Sequence, residues 1–219
     1  MAHWIPVPFL AVSVTLLVWF ELRSDLRKAY VLKPLSTVLV IVVALLSFLA
    51  PGVRLSYTLG ITLGLVFSLG GDVALMFKSN KAFLVGLVLF LLAQIVYSIV
   101  FTLPNGFHPQ DLIVGAVLLA VAVLVYLYLK PGLGRMKGPV IFYILVICLM
   151  VNRAFSAFFG DAFTPTQAWL MSLGAVLFWI SDLVLAINRF RHPFPANRLG
   201  LFLYYGGQLL IALSPSYFG

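Results

Sequence analysis

Charged residues are scarce in this chain of 219 residues, making up 9% of the sequence against 63% for hydrophobic residues. A water-soluble domain of this length needs far more charge to cover its surface. Several apolar runs also approach twenty residues, the length at which a helix crosses a bilayer core of about 30 Å. The composition therefore excludes a soluble globular protein and predicts a multi-pass membrane protein.

Cysteine and histidine are also few, and each shortage excludes a kind of site. Cys148 is the single cysteine, which excludes a disulfide within the chain and a zinc site of cysteine type. The histidines His3, His108 and His192 all lie at predicted helix ends or in loops, so no histidine metal set is expected. No nucleophile elbow, P-loop or dinucleotide fingerprint is present. We therefore expect neither a metal nor a cofactor.

Hydropathy, interpreted with breaks at proline, glycine and charge clusters, predicts an all-α bundle of eight transmembrane helices. The predicted helices cover residues 5–20, 35–50, 57–77, 83–103, 112–129, 139–158, 166–188 and 199–214. The first, second and last runs are short for a bilayer. We expect all eight helices to form a single transmembrane domain over residues 1–219.

The basic residues are placed asymmetrically along the chain. Twelve of the 14 lysines and arginines lie in four connections, whereas the opposite side has only Arg54. By the positive-inside rule these connections are cytoplasmic and both termini face outward. The predicted cytoplasmic loops are 21–34, 78–82, 130–138 and 189–198. The net charge of +8 thus reflects topology and attraction to anionic lipid, and we expect no nucleic-acid partner. The lack of an extramembrane domain favours a bacterial inner membrane.

Two stretches of the chain resemble each other, "GGDVALMFKSNKAF" before helix 4 and "ISDLVLAINRFRHPF" before helix 8. The helix that follows each stretch has a glutamine in its middle, Gln94 or Gln208. These short matches suggest two repeats, residues 1–104 and 110–219. Because each repeat would have four helices, the repeats would be parallel and related by an axis along the membrane normal.

Each of these stretches carries an aspartate within an apolar run. Asp72 lies six residues before Lys78, and Asp182 lies seven before Arg189. At 1.5 Å per residue, both carboxyl groups are expected about 10 Å inside the cytoplasmic boundary. They are the only carboxyl groups within the predicted spans. A twofold axis between the repeats would make them face each other.

Carboxyl groups at this depth need an explanation, because an aspartate near a helix centre costs about 2.5 to 3.5 kcal/mol on insertion scales. Two carboxyl groups that meet in a dry site can share one proton. An acid beside a carboxylate suits cleavage through an oxocarbenium ion, as in glycosidases. A proton-coupled transporter or lipid carrier would bind a proton or cation with the same pair. A structural bundle would use the pair to lock its helices, and the residues leave these alternatives open.

The remaining polar residues of the predicted spans are candidates for substrate binding. Arg153 is the only cation within a span, and by residue count it lies nearer the outer face. It is expected either to pair with an aspartate or to extend outward or cap a carbonyl group. Gln94 with Tyr97, and Tyr204 with Gln208, share helix faces by their spacing. These four residues are expected either to bind substrate or to join helices.

Three basic residues are predicted at the cytoplasmic mouth of a cavity that holds the aspartates, namely Lys33, Lys81 and Arg189. A phosphate head group placed there would leave its tail among the helices. The alternative is that these are ordinary solvated loop charges. The first interpretation predicts a phospholipid as the partner.

Several motifs together resemble the YhhN family of eight-helix membrane proteins, whose animal members are lysoplasmalogenases. They are "KPLS", "GDVALMF", the "NRA" of helix 6, "ISDLVLAINRF" and "YYGGQLLIALS", between Lys33 and Ser214. The resemblance implies hydrolysis of the vinyl ether bond of a lysoplasmalogen to a fatty aldehyde and glycerophosphocholine or glycerophosphoethanolamine. The residues that match the family pattern are Asp72 and Asp182 as the two aspartates, followed by Asn188, Arg189, Tyr204, Tyr205 and Gln208.

This sequence departs from the family pattern in two places. Gln94 stands where relatives often have a histidine, and a glutamine cannot carry a proton. Catalysis would then rest on the two aspartates, one as the acid and the other as the stabilising carboxylate. The pair Gly206 and Gly207 replaces larger residues, which predicts a wider cavity.

Overall fold

The computed structural model of the protein describes residues 2–77 and 79–218. This part of the chain contains eight α-helices, short 3₁₀ helices and no strand. The α-helices are α1 (Pro6–Leu22), α2 (Leu26–Leu46), α3 (Leu55–Met76), α4 (Asn80–Asn105), α5 (Gln110–Leu129), α6 (Lys137–Ser156), α7 (Pro165–Phe190) and α8 (Gly200–Leu213). The prediction of an all-α protein is thus confirmed for the described residues. Lys78 of the predicted loop 78–82 lies outside them.

Local capping interactions explain where several helices begin. The Ser79 side chain accepts a hydrogen bond from the Ala82 backbone N–H at 3.0 Å, which starts α4. Thr164 and Gln167 form a reciprocal capping box at the start of α7. Asp25 accepts from the Lys28 backbone N–H at 3.4 Å at the start of α2. These side chains satisfy backbone N–H groups that have no partner within the helix.

The largest departure from the sequence prediction is the start of α2. The helix begins at Leu26 and continues through Pro34, so the prediction of a loop over residues 21–34 is wrong. The sequence pattern predicts a break at Pro34, but helices within membrane proteins tolerate proline. The Tyr205 hydroxyl donates to the Lys33 carbonyl oxygen at 2.8 Å, which ties this turn of α2 to α8. Lys33 is therefore held on a helix.

Most helices pack on their neighbours in chain order, and several helix contacts join the two halves of the chain. Helix α2 packs on α8, and α4 packs on α6. Gly207 on α8 lies so close to α7 that a Cβ atom there would stand 2.7 Å from the Gly174 carbonyl oxygen. Gly207 therefore permits close helix packing, and neither it nor Gly206 lines the cavity described below. The internal duplication remains a prediction.

The outer surface of the bundle is apolar. Large hydrophobic side chains such as Leu103, Leu112 and Ile113 are exposed on it, as expected where helices face lipid. Within the described residues, seven helices are long and apolar enough to cross a membrane. The remaining helix, α8, has only 14 residues and is flanked by the 3₁₀ helices Pro195–Leu199 and Ser214–Tyr217. The chain is thus a multi-pass helical membrane protein.

Candidate functional site

A cavity of about 500 Å³ opens at one end of the bundle, and both membrane aspartates line it. Its mouth is formed where α1 joins α2, where α3 approaches α4 and where α7 leads to α8. Exposed residues such as Ser24, Ser79 and Arg198 lie at this rim. Asp72 and Asp182 therefore share one water-accessible space, and the expectation that they meet in a common site agrees with this placement.

Asp72 lies near the end of α3 and is almost completely buried. One of its carboxylate oxygens accepts hydrogen bonds from the Thr37 hydroxyl at 2.6 Å and from the Tyr204 hydroxyl at 2.7 Å. The Lys33 ammonium lies 3.5 Å from the other oxygen. The buried carboxylate is thus compensated by one positive charge and two hydroxyl donors, as a charge in an apolar interior requires.

Asp182 lies near the end of α7 and is less deeply buried than Asp72. One of its oxygens accepts hydrogen bonds from the Tyr143 hydroxyl and from the Gln94 amide, the latter at 3.3 Å. The Gln94 amide also donates to the Tyr143 hydroxyl at 2.7 Å. The second carboxyl oxygen of Asp182 accepts no hydrogen bond from residues 2–77 or 79–218, so it is free to contact a ligand.

The two aspartates have matching hydrogen-bond donors, but only one of them has a cation beside it. Each accepts one hydrogen bond from the preceding helix and one from the other half of the chain. Asp72 accepts from Thr37 on α2 and from Tyr204 on α8. Asp182 accepts from Tyr143 on α6 and from Gln94 on α4. Asp72 has the Lys33 cation beside it, whereas within the described part of the chain no lysine or arginine forms a salt bridge with Asp182.

The other cavity-lining residues predicted from sequence are Lys33, Asn188, Arg189 and Tyr204. The Arg189 guanidinium donates to the Asn80 side chain at 2.6 Å, which joins the ends of α4 and α7. The Asn188 side chain accepts a hydrogen bond from the side chain of Asn197 and so closes the connection to α8. The cavity mouth is therefore held together by polar contacts between connections.

Three predicted residues lie beneath the cavity without lining it. Gln94, Tyr97 and Gln208 are fully buried. The Tyr97 hydroxyl donates to Gln208 Oε1 at 2.9 Å, and the Gln208 amide donates to the Ser68 hydroxyl at 2.9 Å. These hydrogen bonds join α3, α4 and α8, so Tyr97 and Gln208 support the site from below, while Gln94 contacts Asp182 directly.

Arg153 lies at the opposite end of the bundle from the cavity. Its guanidinium donates to an Asp111 carboxylate oxygen at 2.8 Å, and both side chains are buried. Arg153 thus pairs with an aspartate, as one expectation had it, but the partner is Asp111 and not an aspartate of the cavity. The alternative that Arg153 extends outward is wrong. Asp111 belongs to the first turn of α5, so the statement that the membrane spans hold only two carboxyl groups is also wrong. The sequence prediction started this helix at residue 112 and so placed Asp111 outside the membrane span, where no pairing with Arg153 was expected.

Sequence reasoning missed Thr37, Tyr143 and the Glu21–Arg198 ion pair at the cavity mouth, whose charged atoms lie 3.0 Å apart. Thr37 follows Lys33 by four residues, and that spacing places both on one helix face once α2 is known to include Lys33. Tyr143 carries a hydroxyl group within an otherwise apolar helix segment, and this polar group could have marked it as a site residue. Lys81, predicted at the cavity mouth, is exposed and does not line the cavity.

Comparison with known proteins gives one family match and several relatives. The YhhN family profile matches residues 28–215. The bovine protein named lysoplasmalogenase TMEM86A is 34% identical over 158 residues, which cover 70% of this chain and 64% of the relative. The human protein of that name is 36% identical over the same number of residues. A Dictyostelium discoideum lysoplasmalogenase homolog is 26% identical over 247 residues, covering 90% of this chain and 80% of that protein.

The match to the two TMEM86A proteins spans 64% of their length. No solved structure matches the chain.

Proposed function

Because the chain belongs to the YhhN family, we propose that it is a membrane hydrolase that cleaves the vinyl ether bond of lysoplasmalogens. The products are a fatty aldehyde and glycerophosphocholine or glycerophosphoethanolamine. The names of the animal relatives support this reaction. The observation that carries the proposal is that Asp72 and Asp182 line one cavity, since this chemistry needs an acid beside a carboxylate.

The reaction proceeds by proton transfer and addition of one water molecule. A carboxylic acid gives its proton to the β carbon of the vinyl ether, and the double-bond electrons form the new C–H bond. The α carbon and the ether oxygen then share the positive charge of an oxocarbenium ion. Water adds to the α carbon and returns one proton to a carboxylate, which gives a hemiacetal. The hemiacetal collapses as its hydroxyl proton passes to the departing glycerol oxygen.

The two aspartates divide this work. One supplies the proton as a general acid, and the other stays ionised and stabilises the developing cation. The Lys33 ammonium, together with the Thr37 and Tyr204 hydroxyls, favours the ionised form of the neighbouring carboxylate, Asp72. No step of the reaction requires a metal or an organic cofactor.

Basic residues at the cavity mouth suit the head group of the substrate. Lys33, Arg189 and Arg198 line the cavity on the side of the helix connections, and these cations would attract a phosphodiester. Glu21 is the acidic residue at this rim and would face the amine of choline or ethanolamine. The proposed partner is accordingly a single-chain phospholipid.

The proposal includes the membrane topology. All eight helices would cross the bilayer, with α8 lengthened by its flanking 3₁₀ helices, and both termini would face outward. The basic connections, and with them the cavity mouth, would then face the cytoplasm. Lysophospholipid would enter from the cytoplasmic leaflet.

The proposed function is tested with purified protein in detergent and a panel of single-chain phospholipids. The panel contains vinyl ether, alkyl ether and ester lipids with choline or ethanolamine head groups. We expect free aldehyde from the vinyl ether lipids alone, because only an enol ether forms an oxocarbenium ion on protonation. Absence of aldehyde from every vinyl ether lipid would contradict the proposal and leave a transporter or lipid carrier as the better explanation.

A second prediction concerns Tyr143, which we regard as a positioning residue for Asp182. Tyr143→Phe removes the hydroxyl that donates to this carboxyl group. A hydrogen bond to a charged group contributes about 1.5 to 3 kcal/mol, so we expect kcat to fall about ten- to hundredfold while KM stays near the wild-type value. Steady-state kinetics on a vinyl ether lipid measure both constants.

The matched control is Tyr126→Phe on α5, whose hydroxyl makes no hydrogen bond to the described part of the chain. This control should retain wild-type kinetics. An unchanged kcat in Tyr143→Phe, or a change confined to KM, would contradict the positioning role.

A further inference from the structure

A second, smaller opening in the bundle lies beside Asp182. We propose that this crevice binds the alkenyl chain of the lipid while the glycerophosphate group stays in the large cavity, which makes Asp182 the residue that protonates the β carbon. The inference rests on the proposed function and adds the orientation of the substrate and the separate roles of the two aspartates.

The crevice has an apolar lining drawn mainly from four helices. It measures about 60 Å³ and lies between α4, α5, α6 and α7. On α6 its lining residues include Val140, Ile144 and Ile147, which share one helix face by their spacing. Seven residues at 1.5 Å each give this face a length of about 10 Å. Val125 and Leu129 of α5 line it one turn apart. The crevice is therefore an elongated apolar slot that fits a hydrocarbon chain.

The slot and the large cavity meet at Asp182. Asp182 lines both spaces, whereas Asp72 lines only the large cavity. The other residues that line both are apolar, namely Leu75, Phe83, Phe90 and Leu185. The carboxyl group of Asp182 therefore stands at the boundary between a polar and an apolar compartment, with one oxygen held by Tyr143 and Gln94. Asp182 is the titratable residue among those that line both spaces, so a ligand that occupies both lies beside its carboxyl group.

Charge decides which end of the lipid occupies which space. Lys33, Arg189 and Arg198 line the large cavity, while the slot holds no lysine or arginine among the described residues. Burying a phosphodiester without a cation is costly, whereas burying methylene groups is favourable. The phosphodiester therefore stays in the large cavity and the chain enters the slot. The slot is small and therefore holds only the first carbons of the alkenyl chain. The rest of the chain would continue between the helices.

The order of atoms in a vinyl ether then assigns the roles. From the glycerol side the atoms follow as ether oxygen, α carbon, β carbon and chain. With the chain in the slot, the β carbon lies nearest the slot entrance, where Asp182 stands. The ether oxygen and the α carbon lie on the side of Asp72, which carries the Lys33 ion pair. Asp182 thus gives the proton to the β carbon, and Asp72 faces the positive charge that forms next to it.

The seating of the chain is tested by photocrosslinking, which requires no turnover. The probe is an alkyl ether lysophosphocholine that carries a diazirine near the start of its chain, and labelled residues are mapped by mass spectrometry. We expect labels on slot residues of α5 and α6. Val125→Trp and Ala186→Phe fill the slot and should lower this labelling at least fivefold. Leu124→Trp, at the adjacent lipid-facing position that is 67% exposed, should leave it unchanged.

The possible outcomes separate the seating from the reaction. Labels spread over the lipid-facing surface, and unaffected by both slot-filling variants in folded protein, would overturn the seating even where the protein releases aldehyde. Labels in the slot without aldehyde release from any vinyl ether lipid would support the seating and overturn the proposed function. Size-exclusion chromatography in detergent identifies a variant that does not fold. The labelling of the other slot-filling variant then tests whether the chain occupies the slot.

Discussion

Asp182→Asn is expected to abolish aldehyde release from vinyl ether lysophospholipids, with a fall in kcat of about a thousandfold. General acid catalysis contributes about 10² to 10⁴ in rate, and asparagine cannot supply the proton. The asparagine oxygen can still accept the hydrogen bonds that Tyr143 and Gln94 donate to the aspartate, so the variant should fold and bind lipid. Aldehyde release and photocrosslinking of the alkyl ether probe, measured on the same preparation, check both statements.

The control for this prediction is Asp161→Asn, which changes an exposed aspartate in a connection away from the cavity and should keep full activity. Asp72→Asn tests the division of roles, because it leaves the Lys33 ammonium without its carboxylate. An active Asp182→Asn beside an inactive Asp72→Asn would contradict the assignment of Asp182 as the acid. Full activity in both variants would remove the paired-aspartate mechanism.

Arg153→Met is expected to destabilise the protein by about 3 to 5 kcal/mol, the cost of removing one partner from a buried ion pair. The variant leaves the Asp111 carboxylate buried without its cation. The native pair is itself incompletely satisfied, since Arg153 Nε and Nη1 and one Asp111 oxygen have no hydrogen-bond partner within the described residues. Chemical unfolding in detergent micelles, followed by circular dichroism, measures the loss.

The double variant Asp111→Asn with Arg153→Met provides the matched control. It removes both charges, and the asparagine can still accept the hydrogen bond that the His108 backbone N–H donates to Asp111 at 2.7 Å. We expect the double variant to be more stable than Arg153→Met alone. Because Arg153 lies far from the cavity, the KM of the folded fraction should not change. A higher KM with normal stability would restore Arg153 as a substrate-binding residue.

The family and the helices could be predicted from the sequence to a large extent. The YhhN resemblance rested on motifs such as those around Asp72 and Asp182, and the family match confirms it. All eight predicted helices have a counterpart in the structure, and most boundaries agree within a few residues. These features depend on local hydropathy and on capping side chains close in sequence, such as Thr164 with Gln167. Pro34 was the main exception, because α2 runs through this residue whereas the sequence pattern predicts a break at proline.

The sequence by itself determined that Asp72 and Asp182 matter, because a carboxyl group within an apolar run costs free energy that the fold must offset. Only the tertiary structure decided their partners. Thr37 and Tyr204 meet Asp72, and Tyr143 meets Asp182, across separations of 35 to 132 residues along the chain. Such contacts follow from how the helices pack and rotate against one another, which no local pattern of residues encodes. The same packing placed Arg153 beside Asp111 and placed Asp182, but not Asp72, between the polar cavity and the apolar slot.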